Sequence, residues 1–485
     1  MKILESSLVC KFFDKLDFCE NQVIENVKGS FFLKKIDNIL SFIQANFNKA
    51  ADTSRFVKNI DFMILMFLSF SLISVTFAST GLIGFFSVAA FLLLLIKFFA
   101  VKGERHNFTS FDVPIFLYIA IAGVSVAFSS LLFPSLKGYT KMIIYFAGYL
   151  TFFNVLKNHP KRIIYMLCLV ALTAAGEALY AISQQLIGIE PLASWQDMTE
   201  VNPEQLMNRV YGSLKPFNPN LLAGYLIATF SSSLGMSFWF LVKKKWQISL
   251  AFFAATAAIL LAILFTGSRG AYIAMTFVMA VFVFVSGHII WHEYGHVKWL
   301  KKLWIAGIII GIVGVICLVM FSPSLQHRVL SIFALRGDSS NSFRLNVYSA
   351  CLKIFHDNWL IGIGPGNTTF RLIYGLYMIT GFDALGAYCV PLEVAVESGI
   401  FGLLAFLWIL FLCAIKSVKY INSKNLIENK VLVSACLIGI TGMTAHGFVD
   451  TIWYRPQVNL IFWLLVAILA VITSKNVSTP KQDQN

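Results

Sequence analysis

Charge is what this sequence has least of. Only 13% of its 485 residues are Asp, Glu, Lys or Arg, about half the share of an average soluble domain. That excludes an ordinary soluble globular protein. The eight cysteines form no Cys-x-x-Cys pair, and most of them (Cys168, Cys317, Cys413 and Cys436 among them) lie in apolar runs. A disulfide framework and a zinc site are both excluded on that pattern. There is no helical His-Glu-x-x-His, no Ser-His-Asp spacing, and no glycine-rich loop followed by Lys-Ser/Thr. The N-terminus lacks the short charged-then-apolar pattern of a cleavable signal. No internal repeat, low-complexity stretch or second soluble domain is visible. The chain is therefore expected to need no metal and no cofactor.

What it has instead is apolar length. Hydrophobic residues make up 58% of the chain, 46 of them Phe. A helix crosses a bilayer with about 20 apolar residues. Twelve such spans are predicted, at 60–79, 81–100, 112–132, 142–156, 163–183, 219–241, 247–266, 270–287, 303–321, 390–415, 431–448 and 457–473. The fold class is an all-α, polytopic helical membrane protein. A tight hairpin at Ser79-Thr80-Gly81 must join the first two spans. Residues 1–59 mix Phe, Leu and Ile with Lys, Asp and Asn and are expected to lie as amphipathic helices on the cytoplasmic surface. Residues 60–475 form the transmembrane domain and 476–485 a cytoplasmic tail.

The net charge of +14 suits basic loops on one side of a bilayer better than nucleic acid, and no nucleic-acid partner is expected. If the N-terminus is cytoplasmic and the spans alternate, 27 of the 38 Lys and Arg residues fall on the inner side. This supports an even number of spans and two cytoplasmic termini, in an inner (plasma) membrane with a thylakoid membrane as the alternative. The two residue types separate further. The inner 27 are 24 Lys and 3 Arg, whereas the outer 11 are 4 Lys and 7 Arg. Topology needs only positive charge. Arginine adds a planar fork that grips phosphate in bidentate fashion, so the outer set points to a phosphate or diphosphate handled there.

Arg269 sits in Phe265–Ala274, FTGSRGAYIA, between two glycines at the outer end of two spans. An ionised group near membrane depth marks a candidate functional site. The glycines let the backbone turn and leave room for a bulky ligand. Glu393 and Glu397, four residues apart, share one helix face at the start of the tenth span. Glu177 lies inside the fifth span and could serve ion coupling. In AHGFVDTIWYRP, His446 and Asp450 could act as base and support, or Asp450 and Arg455 could form a structural ion pair. The largest outer segment, 322–389, contains a helix predicted over 342–358 with Phe343, Val347, Ala350, Leu352 and Ile354 inward. GIGPGN, Gly362 to Asn367, reads as a tight turn whose exposed amides could hold an anion. The outer loop 184–217 ends in FNPN, Phe217 to Asn220, which launches a span.

These segments together carry a resemblance. RVYGSLKPFNPNLLAGYL (209–226), FTGSRGAYIA, the FRLNVYSA and DNWLIGIGPGN stretches within 343–367, ALGAYCVPLEVAVESGIFGLLAFLW (384–408) and HGFVDTIWYRPQ (446–457) resemble the O-antigen ligase and polymerase superfamily. They are closest to its cyanobacterial-type branch, which is named for inorganic-carbon (bicarbonate) transport. The likeness spans residues 60–475. It implies that a glycan on undecaprenyl diphosphate is transferred, without metal, to an acceptor hydroxyl at the outer face. A lipid-linked oligosaccharide, a glycan acceptor and membrane lipids would then be the partners. The resemblance assigns the diphosphate to Arg269 and Arg344, with Arg455 and Arg209 as further candidates. It also exposes a departure. Where the ligases carry His-Asn, with His as base, this chain carries Tyr388-Cys389. Tyrosine, with a reference pKa of ~10, is a poor base at neutral pH. The candidate catalytic residues are therefore Tyr388, Glu393 and His446. Bicarbonate transport, or glycolipid binding without catalysis, stands as the alternative.

Overall fold

The computed structural model describes residues 25–26, 29–77, 79–188, 207–334 and 339–474. Among these it contains seventeen α-helices and no strand. Two precede the first long apolar helix, α1 (Phe31–Thr53) and α2 (Arg55–Lys58). Then come α3 (Ile60–Ser74), α4 (Thr80–Ala100), α5 (Asp112–Ala127), α6 (Leu132–Leu156) and α7 (Pro160–Ile187). They are followed by α8 (Pro219–Val242), α9 (Trp246–Phe265), α10 (Arg269–Glu293) and α11 (Lys298–Phe321). Two short helices and a longer one, α12 (Pro323–Leu330), α13 (Ser339–Asp357) and α14 (Asn367–Tyr374), lead to α15 (Val390–Asn422), α16 (Ile427–Gly447) and α17 (Pro456–Thr473).

A helix stands at each of the twelve expected positions. Nine are long and apolar enough to cross a membrane, while α3 and α5 are apolar but shorter, at 15 and 16 residues. The hairpin between α3 and α4 lies before Thr80, so Thr80 and Gly81 are the first residues of α4 and not the turn. The fourth helix is longer than its apolar run. It has 25 residues because Leu132 to Lys141 continue the helix through two lysines. Residues 1–24, the tail 476–485 and Arg336 lie outside the described residues.

The centre of the bundle is α8, α16 and α17, where residues on every side are buried. At the opposite extreme, α11 buries no residue. It is held to α10 by Trp304, whose ring meets Trp291 at 5.2 Å and whose Nε1 donates to Ser286 Oγ at 2.9 Å. One end of the bundle is fastened by ion pairs that involve mostly lysine. Lys97 reaches Asp61 (2.9 Å) and Glu104 (3.2 Å), Lys243 reaches Glu428 (2.8 Å), and Lys430 reaches Glu293 (2.5 Å). At this end α1 docks through Gln44, which donates to the Phe98 carbonyl at 2.6 Å and accepts from the Gly103 amide at 3.2 Å. Phe31, Ile39, Phe42 and Phe47 on the same helix stay exposed.

The helix predicted over 342–358 is α13. Val347, Ala350, Cys351 and Ile354 are buried, with Phe343 packed against them, whereas Leu352 is 57% exposed. The buried positions follow a 3–4 residue rhythm, and Leu352 falls on the opposite face. Cys351 takes the place expected for it.

The tenth span is not one continuous helix. At Gly399 the backbone turns to φ 66° and ψ −171°, breaking α15 in two. Residues 359–364 lie against the break and replace its missing hydrogen bonds. The amides of Ile363 and Gly364 donate to the carbonyls of Val396 (2.9 Å) and Glu397 (3.0 Å), and the Ile400 amide donates to the Trp359 carbonyl (2.8 Å). Ser125 Oγ of α5 donates to the Ile361 carbonyl, and Ser129 Oγ, just past the end of α5, to that of Ile363 at 2.6 Å. Non-helical backbone at membrane depth is tolerable when its polar groups are paired in this way.

Candidate functional site

At the end of the bundle away from the lysine ion pairs, the helices part around a cavity of about 1270 Å³. Arg209, Arg269, Arg328, Arg344 and Arg455 all line it. They come from five separate stretches: the 207–218 loop, the start of α10, α12, α13 and the turn before α17. Farther in, the wall turns apolar and aromatic, with Tyr118, Phe406, Trp453, Phe462 and Trp463.

Each arginine is set in place by local chemistry. The FTGSRG stretch ends α9 and begins α10. Gly267 has φ 58°, and a Cβ there would lie 3.2 Å from Cγ of Arg209 and 3.0 Å from Sδ of Met207. A side chain would be strained and would push against the arginine behind it. Gly270 is not part of the turn. It lies within α10, where a Cβ would come 2.8 Å from Cγ2 of Val449, so it serves close packing against the end of α16. Arg269, in the first turn of α10, donates from Nη1 to Ser331 Oγ at 3.1 Å. Arg209 donates from Nε to the Thr266 carbonyl (2.8 Å) and from Nη2 to Asn220 Oδ1 (2.7 Å). Burial, and then Arg328, Arg269 and Arg344 close by, push the Arg209 pKa down to about 9. The group is still charged at neutral pH, so four guanidiniums repel one another here. An anion placed among them would relieve that repulsion. Arg344 donates from Nη1 to Ser340 Oγ at 3.0 Å, and its buried Nε has no partner.

The 207–218 loop is clamped to α7. Ser213 donates from its amide and its hydroxyl to the Glu177 carboxylate, each at 2.6 Å. Gln184 Oε1 accepts from the amides of Tyr211 (3.2 Å) and Gly212 (2.8 Å). Glu177 does not line the cavity; it holds the loop that carries Arg209. Replacing Glu177 with Ala would leave the half-buried Ser213 amide without its acceptor, at roughly 1–3 kcal/mol, while the Ser213 hydroxyl keeps the Thr76 carbonyl. The Tm of the purified variant is expected to fall, with Glu177→Gln falling less.

The three candidate catalytic residues separate. Tyr388 lines the cavity, with φ 52°, its ring edge-on to Phe343 at 5.4 Å and its carbonyl accepting from Tyr348 Oη at 3.0 Å. Burial, then the nearby Asp450, raises its pKa. The phenol therefore keeps its proton at neutral pH. Glu393 lies behind the wall, 1% exposed, where it accepts from the Ala387 amide at 2.9 Å and fixes the 384–389 loop. His446 is also buried behind the wall, and its Nε2 has no partner. No hydrogen bond joins His446 to Asp450 among the described residues. Asp450 instead accepts from the Thr451 amide at 2.7 Å, and it forms no ion pair with Arg455. Among the described residues, the two carboxylates that line the cavity are Asp450 and Glu397.

The GIGPGN turn is not an anion nest. Its amides are spent on the broken helix, and the Gly366 amide donates to Glu397 Oε1 at 2.7 Å. Arg371, counted in the outer arginine set, pairs with Asp383 at 2.6 Å on the exterior. Sequence reasoning counted Arg328 only as one of the outer arginines, and it missed Lys137, Lys141 and the cavity position of Asp450 and Glu397. The lysines had a legible signal: they stand four apart in an otherwise apolar helix, which places them on one face.

The family model described as O-antigen ligase matches residues 254–407, about a third of the chain. The match runs from α9 through the SRG turn, α13 and the glycine turn to just past the break in α15. A comparison with curated proteins found no match. The chain is thus a multi-pass membrane protein with an O-antigen-ligase-like segment. The motifs at 209–226 and 446–457 lie outside the matched residues.

Proposed function

We propose that the chain binds a glycan carried on a polyprenyl diphosphate in this cavity and transfers it to an acceptor hydroxyl. One observation carries the reading: arginines from five separate stretches converge on a single cavity whose depth is apolar and aromatic. Guanidinium forks suit a diphosphate, and the aromatic wall suits the rest of a lipid-linked glycan. As the bond between the anomeric carbon and the diphosphate oxygen breaks, negative charge grows on the diphosphate. Preorganised arginines stabilise that charge in a site shielded from water.

The proton of the acceptor hydroxyl must go to a group that is ionised and faces the cavity. Tyr388 is disqualified as the base because its phenol stays protonated, so it serves as a hydrogen-bond donor. Glu393 and His446 are behind the wall and act on structure. Glu397 is tied through the Gly366 amide to the glycine turn that packs on the broken helix, whereas Asp450 binds only the amide of its own neighbour, Thr451. Asp450, beside Tyr388, is the group we assign as proton acceptor. General-base catalysis typically contributes about 10²–10⁴-fold, so Asp450→Asn should slow transfer at least a hundredfold. Tyr388→Phe should slow it less. The assay supplies a polyprenyl-diphosphate oligosaccharide to the purified chain in lipid discs and follows released polyprenyl diphosphate by mass spectrometry. If wild-type protein and a panel of acceptors give no release, the transfer reading is wrong. The bicarbonate alternative drew on Glu177, which is engaged with Ser213, and it is not carried further.

A further inference from the structure

The cavity holds more positive charge than one diphosphate calls for, and that charge lies in two places. Arg209 stands with Arg269, Arg328 and Arg344. Away from that group, Lys137 and Lys141 are four residues apart on α6, and Tyr145, one turn further on the same face, reaches the Tyr454 carbonyl at 3.5 Å. That contact puts Arg455 beside the same face of α6. Lys137, Lys141 and Arg455 are all exposed, all line the cavity, and none is ion-paired among the described residues.

The chemistry of this second group is distinct. Topology is served by lysines at the other end of the bundle, many of them paired with Asp or Glu. Lys137 and Lys141 stand one turn apart in a helix that is otherwise mostly apolar, and both line the cavity. Two like charges one turn apart repel each other, and an anion between them would relieve that repulsion. Leaving aside Arg269 and Arg328, which have partners of their own, five cations face two carboxylates, Glu397 and Asp450, among the described residues. The two negative charges of a diphosphate diester still leave the sum positive, and the surplus lies on the α6 side.

From this we propose that the cavity has a second anion site, formed by Lys137, Lys141 and Arg455, and that it takes a phosphate group on the acceptor. The inference rests on the transfer reading and adds to it the class of acceptor, a phosphorylated molecule whose hydroxyl is presented toward Asp450. A phosphate could also be brought by an anionic lipid headgroup, and the test separates the two.

The full chain is placed in discs of neutral phosphatidylcholine and saturated with farnesyl diphosphate. Glucose 6-phosphate and glucose are then titrated by calorimetry. Glucose 6-phosphate is expected to bind to the loaded protein and glucose is not. The double variant Lys137→Gln, Lys141→Gln should weaken glucose 6-phosphate at least tenfold and change farnesyl diphosphate affinity less than twofold. Arg344→Ala should do the reverse. Unfolding temperatures of both variants confirm that each is folded. Competition between glucose 6-phosphate and farnesyl diphosphate for one site would overturn the proposal, as would lysine variants that weaken both ligands equally. Loss of glucose 6-phosphate binding in phosphatidylglycerol discs would assign the lysines to a lipid headgroup and overturn the acceptor assignment. Failure of farnesyl diphosphate itself to bind would instead count against the transfer reading.

Discussion

Arg344→Ala is expected to reduce glycan transfer about 10²–10³-fold, the usual loss when a preorganised electrostatic partner is removed from a reacting centre. Arg344 is the arginine with the clearest unmet need. Its Nε is buried without a partner, and a single hydroxyl, that of Ser340, occupies Nη1. It also stands near Tyr388, whose phenol feels both the Arg344 guanidinium and Asp450. Removing it deletes a fork that can close on a phosphate, and hydrogen bonds to a charged group contribute about 1.5–3 kcal/mol each. Diphosphate affinity should therefore fall roughly 10- to 100-fold. Arg344→Lys should restore charge without the fork and recover only part of the loss. The measurement is the rate of polyprenyl diphosphate release beside farnesyl diphosphate affinity for the three proteins. Unchanged rates in Arg344→Ala would remove this residue from the site.

The second large effect is on stability. Gly399→Ala is expected to unfold the region that carries the cavity. Gly399 holds φ 66° and ψ −171°, a region essentially reserved for glycine that costs an L residue on the order of 1–3 kcal/mol. A Cβ there would also press into the backbone of Leu360 and Ile361, coming 2.8 Å from the Ile361 amide. Backbone cannot move aside as a side chain can, and overpacking adds typically 1–3 kcal/mol. Gly362, at φ 82°, meets the other side of the same junction, with a Cβ 2.5 Å from the Glu397 carbonyl carbon. The two substitutions should lower Tm by similar amounts. The double variant should lose less than the sum, because both disrupt one set of hydrogen bonds. Gly307→Ala, on α11 with open space around it, is the control and should leave Tm unchanged.

Much of this architecture was legible before any coordinates. Twelve apolar runs gave twelve helices, because hydrocarbon forces backbone polar groups to pair within each segment, and length and hydrophobicity then mark where that happens. The four arginines that the sequence suggested for a diphosphate all line one cavity. What local pattern could not reveal was which polar groups are consumed by structure. Glu177, Glu393 and His446 look like chemistry in a hydrophobic sequence, but each is buried away from the cavity. Glu177 is fastened to the Ser213 amide, 36 residues along the chain, and Glu393 to the Ala387 amide in the loop just before its own helix.

Composition and periodicity by themselves determined that this chain is a helical membrane bundle with guanidiniums gathered toward one end, because burial in lipid acts on every residue through its own side chain. The tertiary structure alone decided that α15 breaks at Gly399, that the 359–364 segment fills the gap, and that Asp450 faces the cavity while His446 does not. Those outcomes depend on pairings between residues far apart in the chain. A hydrogen-bond donor's partner is fixed by which segments meet in space, and no single-segment pattern encodes that meeting.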